Sequence, residues 1–249
     1  MGRHFNRKPP MKSLRALLVL LTAMGLAVGA NADTPVPKTA HPLKIGIIGA
    51  GEIGGALARH WGAAGYQLMI SSRHPEELQS LAKEIGPNVK VGTPREAAAF
   101  GDVIMLAIPY GATPQLGRDL GAELKGKIVL DAGNPYPSRD GEMAVRDRLR
   151  GTGVASAEYL PGVRLVRAFN AINSGPLLRE GFRKPERLGI PLAASDPEAM
   201  KVAAQLVSDA GFDPVPVGDL SRAREFDYGT AVYVRGMTAR ELRKALRLD

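Results

Sequence analysis

Residues 43–54 read LKIGIIGAGEIG, and this stretch decides the fold. The first six residues are rich in branched apolar side chains, the pattern of a buried strand, and they run directly into Gly49-Ala50-Gly51-Glu52-Ile53-Gly54. Ile53, Ala56, Leu57, His60, Trp61 and Ala64 then recur at helical spacing until Gly65 ends the helix. Residues 66–71, YQLMIS, supply the next strand. A lone G-x-G-x-x-G is weak evidence. Set between a strand and a helix, with a second strand at the right distance, it is the phosphate turn of a dinucleotide-binding unit. The three glycines have different tasks: Gly49 permits the tight turn, Gly51 leaves room for a pyrophosphate, and Gly54 lets helix and strand pack closely. Glu52 and Ile53 open the helix, whose free N–H groups and dipole favour phosphate. Gly49, Gly51, Glu52, Ile53 and Gly54 are therefore the first expected cofactor contacts.

The end of the second strand selects the cofactor. An NAD site places a carboxylate there for the ribose 2′-hydroxyl. No acid occurs between Glu52 and Glu76; Ser71-Ser72-Arg73-His74 stands in that place. Hydroxyl donors and a guanidinium suit a 2′-phosphate, which a carboxylate would repel. The sequence thus points to NADP, with Ser71, Ser72, Arg73 and His74 as contacts. For His74 an exposed residue at a helix start is an equal alternative. Pro75-Glu76-Glu77 then begins a helix.

Beyond residue 76, strands and helices alternate. Strand patterns fall at 102–107, 127–131, 164–168, 188–193 and 214–217, and helix patterns at 95–100, 113–124, 197–210 and 239–246. This is an α/β order, a doubly wound, mostly parallel sheet of the Rossmann type, with residues 43–249 as one NADP-binding domain carrying a C-terminal α/β extension. Residues 135–162 are polar and glycine-rich and read as an irregular excursion. Ligands in such sheets bind beyond the carboxyl ends of the strands, which draws attention to 108–110 (IPY), 132–136 (AGNPY) and 169–173 (FNAIN). Ile108 and Pro109 are expected to border the cofactor. Asn170 and Asn173 are the candidates for orienting a nicotinamide amide or a hydride acceptor; loop asparagines bonding their own backbone are the alternative. Tyr110 reads as closing the site or as a partly buried surface tyrosine. Asp131 reads as a strand-end residue bonding a neighbouring loop ahead of a catalytic role, and Trp61 as core.

Composition narrows the chemistry. Hydrophobic residues make 45% and charged residues 23% of 249, an ordinary folding sequence. The absence of cysteine excludes disulfides, thiolate catalysis and cysteine-ligated metals. The four histidines are not spaced with carboxylates for a metal, and none is expected. The net charge of +8 does not point to nucleic acid, because five of the 33 basic residues lie in residues 1–32, which hold no acid, leaving 28 basic against 25 acidic residues. That first segment has a positive start (Lys12, Arg15), an uncharged run over 16–30 and Ala30-Asn31-Ala32, the three parts of a secretory signal. Its 15-residue run is short for the ~20 residues of a membrane span. Residues 1–32 are thus expected to be a signal peptide and 33–42 a linker, with Asp33 as mature start and an exported, periplasmic or secreted product without a stable span; an uncleaved membrane tether is the alternative.

KIGIIGAGEIGGALA, SSRH, DVIMLAIPY, KIVLDAGNPY and VRAFNAINSGPL, spread over about residues 43–217, together resemble the NADPH-dependent F420 reductase (F420-dependent NADP oxidoreductase) family. The resemblance implies hydride transfer between NADP(H) and a second carrier, the deazaflavin F420 or a flavin, stacked against the nicotinamide. Its partner would be a small-molecule redox acceptor, with a homodimer left open. Such chemistry requires two rings held face to face and little else from the protein. A carbonyl or imine reductase and a non-enzymatic NADP-binding redox sensor stay open beside it. The former ranks lower, because its relatives carry a long helical domain, whereas the roughly 80 residues after Phe169 read as mixed.

Overall fold

The computed structural model describes residues 43–248. The signal peptide read over 1–32, the linker over 33–42 and the expected cleavage before Asp33 lie outside the described residues. The chain runs β1 (Lys44–Ile48), α1 (Glu52–Ala64), β2 (Gln67–Ser71), α2 (Gln79–Ile85), β3 (Val89–Gly92), α3 (Pro94–Phe100), β4 (Val103–Leu106), α4 (Thr113–Leu124), β5 (Ile128–Asp131), α5 (Pro137–Arg150), α6 (Thr152–Tyr159), β6 (Arg164–Arg167), α7 (Ser174–Arg179), β7 (Gly189–Ala194), α8 (Pro197–Asp209), β8 (Asp213–Gly218) and α9 (Ala239–Ala245). Short 3-10 turns occupy Pro75–Leu78, Tyr110–Ala112 and Leu220–Glu225.

The eight strands form one sheet in the order β3-β2-β1-β4-β5-β6-β7-β8. β1 to β6 are parallel. β7 is antiparallel to β6, and β8 runs parallel with β7, so the last two strands are reversed. The doubly wound, mostly parallel α/β sheet expected from the sequence is the fold. Chain order reverses between β1 and β4, which opens a crevice at the carboxyl ends of those strands.

The core explains why these segments form these elements. β1, β4 and β5 carry unbroken apolar runs because helices cover both faces. Trp61 of α1 is fully buried, donates Nε1–H to the Leu206 carbonyl of α8 at 2.9 Å, and meets Phe169 edge-on with ring centroids 6.0 Å apart. Trp61 is core, as its helical spacing implies. Ile190, Leu206 and Phe212 share one apolar cluster with Ile45, Trp61 and Leu68, so the β7-α8-β8 extension packs onto the same core.

Several segments depart from the sequence reading, the short helix α7 among them, which has no pattern of its own in the sequence reading. Residues 135–162 are not irregular: they hold α5 and α6. Apolar periodicity is faint there, and Gly141, at φ 64° and ψ −146°, breaks α5 in its middle. β3 leaves little pattern in the sequence because it is four residues long at the sheet edge, with only Gly92 buried among its residues. The helix expected to start at Pro75 begins as a 3-10 turn and becomes α-helical at Gln79. Among the described residues no helix is long and apolar enough to cross a membrane, and no cluster of three or more His, Asp or Glu could hold a metal.

Candidate active site at the strand ends

The phosphate turn is built around Gly49. Its φ of 95° is a left-handed conformation that glycine adopts without strain, and a Cβ there would sit 2.5 Å from the Ala107 carbonyl oxygen beyond β4. The Gly49 and Ala50 amides both donate to the Ser71 carbonyl at 3.0 Å, tying the turn to the end of β2. Gly54 presses against the turn: a Cβ would lie 2.0 Å from the Gly49 oxygen. Gly51 differs, since a Cβ would meet nothing within 4 Å. That open space lies at the start of α1, where N–H groups and helix dipole favour anionic oxygen. Glu52 and Ile53 follow at the first turn, Glu52 exposed and accepting from the Ser174 hydroxyl of α7 at 2.7 Å.

At the end of β2 the four expected contacts separate. Ser71 is buried and donates its hydroxyl to the Ile47 carbonyl at 2.9 Å, so its side chain joins the strands and faces inward. Ser72 Oγ accepts the His74 amide at 3.0 Å and shapes the bend. Arg73 is exposed, and among the described residues it has no carboxylate partner. The His74 ring lies beside Glu76, with Nδ1 to Oε1 3.4 Å, both exposed. Arg73 is therefore an exposed cation at this strand end without an ion pair among the described residues. After β4, Ile108 is half-buried and Pro109 exposed at the crevice. Tyr110 neither closes the site nor lies at the surface. It is fully buried, its hydroxyl 3.3 Å from Asp147 Oδ2, and burial ahead of the Asp147 charge pushes its phenol far above the ordinary value.

The ends of β5 and β6 carry a buried polar network. Arg167 is fully buried and donates to Asp131 Oδ2 at 2.8 Å, to the Asp131 carbonyl at 3.1 Å and to Asp227 Oδ1 at 3.0 Å. Burial works against the Arg167 charge; the two carboxylates overcome it and hold its pKa above the ordinary guanidinium value. Asp131 also accepts from the Ser156 hydroxyl and the Gly133 amide, both at 2.8 Å. Its role is to bond neighbouring loops, the preferred sequence reading. Asp227 had no signal in the sequence, being separated from Arg167 by 60 positions.

Asn170 sits on this network. Phe169 before it adopts φ 60°, an uncommon conformation for a bulky residue, held here by burial against Trp61. Asn170 Nδ2 donates to Asp227 Oδ1 at 3.3 Å, and Asn134 Nδ2 donates to the Asn170 carbonyl at 2.8 Å. These acceptors fix both amide orientations and leave Asn134 Oδ1 and Asn170 Oδ1 buried without a partner. Buried acceptors of this kind call for an N–H donor from elsewhere, and a carboxamide NH2 supplies one. Asn134 is the addition the structure makes to the expected set. Asn173 is exposed at the cap of α7 and makes no side-chain cap bond. Beside the asparagines, Tyr136 and Tyr233 share a 2.6 Å hydroxyl contact, and the Tyr228 ring packs edge-on to both. The chain so joins a glycine turn, an arginine without an ion pair at the end of β2 and two partnerless amide oxygens, all beyond the carboxyl ends of the strands, and these residues fit NADP.

Comparison with known proteins agrees with this geometry. Residues 44–135 match the family described as NADP oxidoreductase, coenzyme F420-dependent. The F420-dependent NADP reductase of Methanothermobacter thermautotrophicus is 30% identical over 196 residues, 73% of this chain and 84% of that protein. Metalloreductase STEAP3 of Rattus norvegicus is 29% identical over 201 residues; the match takes in 77% of this chain but spans only 37% of that relative's length. A crystal structure from Sinorhizobium meliloti superposes with a TM-score of 0.70 at 28% identity, covering 79% of this chain and 95% of that one. The chain is an NADP-dependent oxidoreductase and belongs to the F420-dependent NADP oxidoreductase family.

Proposed function

We propose that this protein transfers a hydride between NADP(H) and a flavin-like ring, a deazaflavin of the F420 type or a related flavin. One observation carries the reading: the carboxylates near the ends of β5 and β6 are already engaged. Asp131 and Asp227 hold Arg167, and Asp147 accepts from Arg146 at 2.9 Å and from the Tyr159 hydroxyl at 2.7 Å. Burial raises the Tyr233 phenol well above its ordinary value, which makes it a poor proton donor. An acceptor whose reduction needs no side-chain acid suits such a site, whereas a carbonyl or imine needs one. Bound NADPH would supply the hydride, and a ring acceptor would take the accompanying proton from water, so no side chain of this chain need deliver one. Arg73 anchors the 2′-phosphate, the Gly49–Gly54 turn and α1 hold the pyrophosphate, and Asn170 with Asn134 orients the carboxamide. Asn173, exposed at the start of α7, is the residue left for contact with the second ligand.

The test is NADPH oxidation against F420, FMN and a cyclic imine. Turnover with a ring acceptor is expected; oxidation by the imine alone overturns the reading. Arg73→Ala is expected to cost ~1.5–3 kcal/mol of NADPH affinity, the scale of a charged hydrogen bond, and to leave NADH binding nearly unchanged. Equal wild-type affinities for the two cofactors would remove the basis for that role. Export belongs to the same proposal. N-terminal sequencing of the native protein is expected to begin at Asp33, and a chain beginning at Met1 or Met11 contradicts it.

A further inference from the structure

A cavity of about 420 Å3 lies between the C-terminal end of α5, the start of α6 and residues 224–230. None of the residues placed above at the dinucleotide lines it, and only Asp227 is shared with the Arg167 network. Its volume falls within the roughly 300–1,000 Å3 of small-molecule sites.

The wall specifies a ligand. Thr152 is fully buried, lines the cavity and has a hydroxyl without a partner; the Thr230 hydroxyl is likewise buried and unpartnered. Leaving such groups unsatisfied is costly, so a donor or acceptor from a ligand has a place to act. Arg148 and Arg224 are exposed at the same cavity, and among the described residues neither forms an ion pair. Arg148 stacks over the Tyr228 ring at 4.8 Å, and Arg224 donates to the Leu149 carbonyl at 3.4 Å. Stacking fixes a guanidinium plane while leaving its edge donors free. Asp227 is the one acid in the wall, and its charge is already answered: Oδ1 accepts from Arg167 and Asn170, and Oδ2 from the Thr152 amide at 3.2 Å. Val145 and Leu149, one turn apart on α5, are 50% and 78% exposed beside these cations.

We propose that this cavity binds an amphiphilic organic anion. Its phosphate or carboxylate head is held by the Thr152 and Thr230 hydroxyls with Arg148 and Arg224, and its apolar stem lies along Val145 and Leu149.

The probe is octyl phosphate, titrated calorimetrically into the full chain saturated with NADP. Saturable binding with a Kd of about 1 mM or below is expected, with inorganic phosphate about tenfold weaker and 1-octanol without effect. Arg148→Ala with Arg224→Ala is expected to weaken binding about tenfold or more, the scale of lost charged hydrogen bonds. Thr152→Val should weaken it severalfold while keeping or raising the unliganded Tm, because the hydroxyl it removes has no partner. Arg73→Ala should leave the octyl phosphate Kd unchanged, which keeps this result separate from the cofactor assignment. No saturable binding, an equal response to 1-octanol, or a signal lost in Arg73→Ala but kept in the double arginine variant overturns the proposal. Sedimentation with phosphatidylglycerol vesicles, dependent on Arg148 and Arg224, assigns the head to a lipid. Octyl phosphate binding without vesicle binding assigns it to a soluble anion.

Discussion

Gly51→Val is expected to yield a folded protein that no longer binds NADPH or NADH, with affinity for each lower by about a hundredfold or more, ~3 kcal/mol or above. A Cβ at Gly51 meets nothing within 4 Å, so the chain itself does not resist the larger side chain. The space it fills lies at the start of α1, where the proposed site would bring the pyrophosphate against the backbone. Gly54→Ala is the control that behaves in the opposite way. Its Cβ would lie 2.0 Å from the Gly49 carbonyl oxygen, so helix and turn must separate, at about 1–3 kcal/mol of stability or more. Circular dichroism melts and calorimetric titration on the two variants separate these effects. Undiminished NADPH binding by folded Gly51→Val would place the dinucleotide elsewhere.

Arg167→Met is expected to produce the largest loss of stability of any single change in the network. It removes the cation that bridges Asp131 and Asp227 and replaces its stem with an apolar side chain. Breaking a buried ion pair from one side costs about 3–5 kcal/mol, which for a domain of this size lowers Tm by roughly 6–20 °C. The triple variant Arg167→Met, Asp131→Asn, Asp227→Asn should recover part of that loss, since no uncompensated charge then stays in the core. A single variant as stable as the wild type in chemical denaturation would show that Arg167 carries no such weight. The same substitution frees Asp227 from Arg167 and loosens Asn170, so NADPH oxidation should fall below what the remaining folded fraction accounts for.

Legibility in the sequence followed the range of the interactions. The β1-turn-α1-β2 unit could be read because its determinants are local: branched residues in a run, three glycines at set spacing and an apolar helical face. The strand ending at Asp131 and the helix over 113–124 were equally plain. α5 is faint in the sequence because its buried side is small, chiefly Ala144 and Asp147, and because Gly141 interrupts it. Ser71, Ser72 and Arg73 looked alike as polar residues at a strand end. Only the backbone geometry shows that the Ser71 hydroxyl turns inward while Arg73 stays free. Asn170 follows a strand and can be singled out for that, but the orientation of its side-chain amide depends on Asp227, 57 positions away, and its backbone carbonyl receives Asn134, 36 positions away. Tyr110 sits beside an expected ligand loop, and nothing near it in sequence signals that Asp147 draws it into the interior.

The 60-residue gap between Arg167 and Asp227 also sets an order of events during synthesis. The phosphate turn and both of its flanking strands emerge early and depend on near neighbours. Arg167 and Asn170 follow, and both then wait for a carboxylate that the ribosome adds about 60 residues after Arg167. Contacts of such separation form late, since a long loop must close before they can contribute. A nascent chain, or one cut short after β8, should therefore be able to grip the phosphates of a dinucleotide while its nicotinamide end still lies loose. The capacity to hold the cofactor would precede the capacity to use it.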